Sequence, residues 1–283
     1  MLYKKLLNPS NRRIRWIVGA GLLALVCVQC TRPNGGLWES ELLAGGDALD
    51  QEALSAAQCR QIEHLAKSDP VALLAQCARR YDRTVRDYTC TFIKRERLGG
   101  KLGSAQEIAV KFRDEPFSVA MRWLRNAPIS DRCLYVEGQF DDNMLVRPKG
   151  LLSWVGTQRR KPDSPQVLAN TLRPITLFGF RRALAGLIDV YELAGRQGDL
   201  TASVVGYKTV ADRRTLVIQR ELPAKDEYPV AVTRIYIDPV WMVPLCIESF
   251  DWNGELESRY IYKDVKFNVA LSDEDFTPAA NGL

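Results

Sequence analysis

The chain has 283 residues, 46% apolar and 9% aromatic, enough to bury a substantial single core. Its formal charge of +5 comes from the first thirty residues: without Lys4, Lys5, Arg12, Arg13 and Arg15, 34 cations face 34 carboxylates, and a neutral domain offers no nucleic-acid footprint. A single histidine, His64, excludes a histidine triad and a His-rich metal site in any sheet domain.

Residues 1–30 combine that basic leader with an apolar run of 13 residues, Trp16–Val28. The run is short of the roughly 20 residues of a membrane span and reads as a secretory signal. The alternative is an uncleaved anchor, which also places the domain outside the cytoplasm. Neither Cys27 nor Cys30 follows the small residue that a lipidation site requires. Beyond the leader stand Cys59, Cys77, Cys90, Cys133 and Cys246; an odd number in an exported chain implies a free thiol or an intermolecular partner. Residues 31–50 are Gly-rich and read as a flexible tether.

Residues 51–86 predict a helical hairpin. Leu54, Ala57, Ile62 and Leu65 share one stripe, and Val71, Leu74, Cys77, Ala78 and Tyr81 another. Asp69 is the expected N-cap, with Pro70 at the first helical position. Cys59 and Cys77 lie about equally far from the turn, so a disulfide between them is expected; the alternative is two small buried hydrophobes.

From Asp87 the period becomes two. In "DYTCTFIKRERLGGKL", Tyr88, Cys90 and Phe92 share one face, then Lys94–Arg97 are all charged, and Gly99–Gly100 makes the turn. Strands are expected at Gln106–Arg113, Phe117–Leu124, Arg132–Glu137, Met144–Arg147 and Leu151–Val155. Gly156–Leu172 reads as a polar loop, and Pro174–Leu193 as a mostly apolar helix buried on more than one side. Five more strands follow between Thr201 and Val265, with a hairpin signal at Asn253–Gly254. The fold class is therefore α+β: a helical hairpin, then over residues 87–278 one antiparallel sheet of about 10–11 strands, which must curl. The expected architecture is an unclosed half-barrel with helices on its concave side and a tail at 279–283.

No phosphate-binding glycine loop, nucleophile elbow or zincin motif occurs. No enzymatic activity, cofactor or metal is expected. The acidic clusters Asp141–Asp142 and Asp273–Glu274–Asp275 read as solvated turns.

The segments "YTCTFIKRERLGGKL", "KFRDEPFSVAMRWL", "LYVEGQFDDNMLVRP" and "VPLCIESFDWNGELESRYIYKDVKFNVALSDEDF" resemble the bacterial domain of unknown function 1571, found mainly in exported planctomycete proteins, over about Val71 to Pro278. That resemblance implies no activity. More remotely, the helix, the strand pairs around charged tips and the ending Asn268…Phe276–Thr277–Pro278 are similar to the outer-membrane lipoprotein carrier superfamily. It includes lipoprotein carriers and their receptors, mycobacterial lipid-binding lipoproteins and a periplasmic sensor acting on an anti-sigma factor. This similarity implies an unclosed antiparallel barrel with a helical lid over an apolar cavity, and no catalytic residue is carried over.

On such a curled sheet Phe92, Ile108, Val110, Phe112, Val119, Met121 and Trp123 line one inner surface, with Phe178 facing them. Two readings stay open: a solid core, or a gap that accepts an acyl chain. A sixteen-carbon chain gains about 12 kcal/mol gross, offset by roughly 4–15 kcal/mol of association and ordering terms, so micromolar, reversible binding is what the arithmetic allows. Lys94, Arg95, Arg97 and Arg122 are expected at the rim, in water, steering a headgroup or partner, or simply keeping the hairpin soluble. The expected function is an exported, non-catalytic binder of a hydrophobic ligand, either lipid or lipoprotein acyl chain. The alternative is an envelope sensing or scaffolding module that binds a protein partner. Nucleic acid is not an expected partner, and membrane contact is expected only through an uncleaved leader or tether.

Overall fold

The computed structural model describes residues 56–283; the expected signal, the tether and the first residues of the hairpin lie outside the described residues. Helices α1 (Ala56–Ser68) and α2 (Pro70–Thr84) form the hairpin. Asp69 caps α2 by accepting from the Ala72 N–H at 2.8 Å, and Pro70 follows it. Leu73, Leu74, Cys77 and Tyr81 are buried on one face of α2. The expected disulfide is not formed: Cys59 and Cys77 are both free thiols. The two helices turn these residues to different neighbours. Cys77 is fully buried among Leu73, Leu74 and Leu184, whereas Cys59 is half-buried and close to Tyr207.

The strands are β1 (Asp87–Leu98), β2 (Lys101–Leu102), β3 (Gln106–Arg113), β4 (Ser118–Arg125), β5 (Ser130–Val136), β6 (Met144–Pro148) and β7 (Gln158–Arg160). After the crossing described below come β8 (Thr201–Val210), β9 (Arg213–Glu221), β10 (Val232–Asp238), β11 (Val243–Phe250) and β12 (Leu256–Phe267). They form one sheet in the order β7-β6-β5-β4-β3-β1-β12-β11-β10-β9-β8, with β2 pairing only to the tip of β1. Every pairing is antiparallel. The sheet is two meanders zipped together by β1 and β12, with Phe92 opposite Tyr262 and Lys94 opposite Tyr260. Strands β7 and β8 are its two edges, so the sheet does not close.

The expected strand at Leu151–Val155 is instead a 3-10 turn over Gly150–Val155. Gly150, at φ 64°, carries the chain out of the sheet, and Gln158–Arg160 pairs with β6 in its place. Having left β7 at one edge, the chain must reach β8 at the other, and it crosses the face of the sheet to do so. The crossing comprises a short helix α3 (Pro165–Leu168), a 3-10 turn (Ile175–Leu177) and helix α4 (Phe180–Gln197). Helix α4 begins later than Pro174 because Gly179, at φ 104°, breaks the backbone there. It ends at Gly198 in the left-handed conformation that favours glycine.

Two clusters fill the space between helices and sheet. In one, Phe180 lies tilted against Tyr262 (ring centroids 4.2 Å apart), Tyr88 stacks against Phe112 (4.6 Å), and Phe92 meets Phe178 edge-on (5.0 Å). In the other, α2 and α4 pack through Leu74, Cys77, Leu184 and Tyr191 onto Leu216, Ile218, Ile235 and Ile237. The opposite face carries a smaller cluster of Ala120, Leu134, Val136 and Leu145 under Phe276 from the C-terminal turns. Asn268, at φ 54°, pins the end of β12 to the end of α2: it accepts from the Arg86 N–H at 2.9 Å and donates to the Thr84 carbonyl at 2.8 Å.

Candidate functional site

The N-terminus of α4 comes down hard on one end of the sheet. A Cβ on Gly179 would lie 2.8 Å from the Phe112 ring, and Phe112 also meets Phe117 and Phe178 at 5.5 and 5.9 Å. At the other end of the same strands the crossing segment stands off the sheet, leaving a cavity of about 370 Å³. Eight neighbouring strands, β7 through β1 to β11, each contribute to its wall. Laid flat, eight strands would span about 34 Å, far wider than this cavity, so the sheet bends around it.

Five of the eight expected ligand-facing residues, Phe92, Ile108, Met121, Trp123 and Phe178, line the cavity. Val110, Phe112 and Val119 are buried on the same face but belong to the filled end. The inner surface is thus packed solid at one end and hollow at the other. Sequence reasoning passed over Cys133, Met144, Val146, Ile175 and Tyr260, which also line the cavity. Tyr260 shares a face with Tyr262, another lining residue passed over, and the alternation along β12 could have found both; Ile175 was hidden inside an assumed helix. Trp123 is held by its indole N–H, which donates to the Gln106 side chain at 2.8 Å.

The charged tip divides by strand alternation. Lys94 and Glu96 follow Phe92 onto the inner face and are buried, rather than standing in water at a rim. There the Lys94 ammonium pairs with Glu96 at 3.1 Å and donates to the Thr171 hydroxyl at 3.0 Å. The Tyr260 hydroxyl donates to Glu96 at 2.7 Å, and the Thr171 hydroxyl donates to it at 3.3 Å. Thr171 lies on the crossing segment, so this network ties that segment to the central seam of the sheet. The other two cations point away: Arg95 donates to the Gly103 carbonyl, and Arg97 donates to the Leu256 carbonyl and pairs with Glu255. Arg122 is exposed on β4 and does not border the cavity.

Burial, then the Glu96 carboxylate, pushes the Tyr260 phenol well above its usual range. Burial pushes the Cys133 thiol up to about 12, so at neutral pH it is protonated and not a nucleophile. The cavity is therefore mostly apolar, with the neutralised Lys94–Glu96 pair and two arginines, Arg160 and Arg173, in its wall. A second cavity of about 410 Å³ lies beneath α4 and shares Thr171, Arg173, Ala183, Ile247 and Tyr260 as a common wall. The first cavity opens where its lining is also exposed, at Pro128, Ile129 and Gln166. Among the described residues no group of three or more His, Cys, Asp or Glu side chains is placed to hold a metal ion, and no helix is long and apolar enough to cross a membrane.

A family model described as "Protein of unknown function (DUF1571)" matches residues 85–282. No curated protein matches the chain. Among solved structures, the complex of Pseudomonas aeruginosa MucA and MucB is similar at 16% identity and a TM-score of 0.44, covering 76% of this chain and 62% of that one. Mycobacterium tuberculosis lipoprotein LppX is similar at 16% identity and a TM-score of 0.42, covering 72% and 99%. A putative outer membrane lipoprotein-sorting protein domain from Vibrio parahaemolyticus is similar at 11% identity and a TM-score of 0.37, covering 75% and 98%. This chain spans under two thirds of the MucB chains that it matches, 63%, 62% and 59%. Likenesses of this depth do not assign a function.

Proposed function

This chain belongs to the family described as Protein of unknown function (DUF1571), and from that premise we propose that it is a non-catalytic protein that binds a hydrophobic ligand, an acyl chain of a lipid or lipoprotein, between its curled sheet and crossing segment. The observation that carries this reading is the cavity of about 370 Å³, walled by Phe92, Ile108, Met121, Trp123 and Phe178 and opening at Pro128, Ile129 and Gln166. Apolar concavities of this size are the usual form of a small-ligand site. The Lys94–Glu96–Thr171–Tyr260 network marks its polar wall and holds the crossing segment in place. The leader in residues 1–30 supports an exported protein of the cell envelope.

The direct test is titration of the purified protein with cis-parinaric acid, a fluorescent fatty acid. Saturable, micromolar binding is expected. Met121→Trp fills part of the cavity; displacing about two methylenes lowers affinity roughly tenfold, while the melting temperature stays within a few degrees. Unchanged affinity in that variant would remove the cavity from consideration.

A second reading has one observation in its favour. Strand β8 is a ten-residue edge among the described residues, with Val205 half exposed at its middle, which is the surface onto which a partner could add a strand. Native mass spectrometry of protein taken from its own envelope fraction separates the two: co-purifying lipid supports the container, and a stable protein partner with no lipid supports the edge.

A further inference from the structure

Residues 147–161 carry five cations, Arg147, Lys149, Arg159, Arg160 and Lys161, and no carboxylate, in a domain whose charges balance only as a whole. The centre of this stretch is the turn Gly150–Val155, where Leu151 is 93% and Trp154 82% exposed. Soluble proteins seldom leave two large apolar side chains so bare on one turn. The turn adjoins the cavity mouth: the Lys149 N–H donates to the Ile129 carbonyl at 3.0 Å, and its ammonium donates to the Ala127 carbonyl. Ile129 is itself 51% exposed and lines the cavity.

Lys149 is the cation at the tip itself; the pairing of β6 with β7 sets Arg159, Arg160 and Lys161 further back, beside Met144 and Leu145. Arg159 pairs with Asp141 at 2.9 Å and Arg125 with Glu107 at 3.7 Å. Lys149 and Lys161 are exposed, and Arg160 stands at the cavity wall. A bare tryptophan and leucine next to Lys149, with the basic strand β7 behind them, fit the boundary between headgroups and acyl chains of an anionic bilayer, where the indole finds both apolar and polar surroundings.

We infer that the tip formed by the Gly150–Val155 turn and the Ala127–Ser130 loop docks onto an anionic lipid surface. This is a membrane contact separate from the leader, and it brings the cavity mouth against the source of its ligand. That last step rests on the ligand reading above; the docking does not.

The test is partitioning of the full chain onto phosphatidylcholine vesicles with and without about 30 mol% phosphatidylglycerol, at low and high salt. Because the leader can also bind bilayers, the quantity read is the difference between the wild type and two variants of the same chain. Leu151→Ser/Trp154→Ser is expected to lower partitioning about tenfold or more. Lys149→Glu is expected to lower it at least about fivefold at low salt, on anionic vesicles only. Neither variant touches the cavity lining, so cis-parinaric acid affinity is expected to stay unchanged in both, which also shows that they are folded. Tip variants that partition as the wild type does, or a wild type that captures a protein at this tip while ignoring vesicles, overturn the docking. If docking holds but cis-parinaric acid does not bind the wild type, the ligand reading fails and the docking stands.

Discussion

Lys94 and Glu96 show how a charged residue can be read on the correct strand and in the wrong medium. Two positions after Phe92 and four after it, alternation places both on the inner face; what lies over that face cannot be read from β1. Burying the pair is tolerated because each charge has a partner and the remaining lone pairs meet Thr171 and Tyr260. Removing one partner leaves the other charge stranded. Glu96→Ala is expected to cost about 3–5 kcal/mol in urea denaturation. The double change Lys94→Met/Glu96→Gln, which removes both charges and keeps an acceptor for Tyr260, is expected to stay much closer to wild type. If the double variant falls as far as the single one, the loss is not one of uncompensated charge. The cysteines teach the same lesson. Equal distance from a turn suggested a Cys59–Cys77 bridge, but the direction in which each helix faces its neighbours separates the thiols.

At the scale of elements, the crossing helix decides how the sheet is filled. Its apolar composition made it legible as a buried rod, and Phe180 at its start and Phe178 just before it do meet the sheet aromatics. Its starting point was not legible, because Gly179 matters through a contact with Phe112, distant in sequence. Gly179→Ala meets two penalties, a positive φ of 104° and a Cβ 2.8 Å from that ring. A loss of at least about 2 kcal/mol is expected by denaturation; a loss below about 0.5 kcal/mol would mean that the helix start can shift freely. The Gly150–Val155 turn is the converse case. "LLSWV" has strand-forming composition but no alternation, and sheet pairing passes instead to the more polar Gln158–Arg160.

At the scale of the whole molecule, β1 and β12, each of 12 residues, form the central seam although they stand at opposite ends of the sheet-forming chain. Pairing them closes a very long loop, so folding is expected to be slow and governed by this non-local step. Amide exchange followed by mass spectrometry should find β1 and β12 the last to exchange and β7 and β8 among the first; equal protection at edge and centre would mean that the two meanders are independently stable. The sequence by itself determined the α+β class, the helical hairpin before the strands, nearly every strand after Asp87 and which residues of β1, β3 and β4 share a face, because helix caps, period-two alternation and turn residues act over a few positions. Tertiary structure alone decided that the first and last strands pair, that five inner residues border a space while three are packed solid, and that Lys94 and Glu96 are roofed over. Those outcomes depend on where the crossing segment rests on the sheet, and that is set by contacts between residues far apart in the chain, such as Gly179 on Phe112 and Thr171 on Glu96.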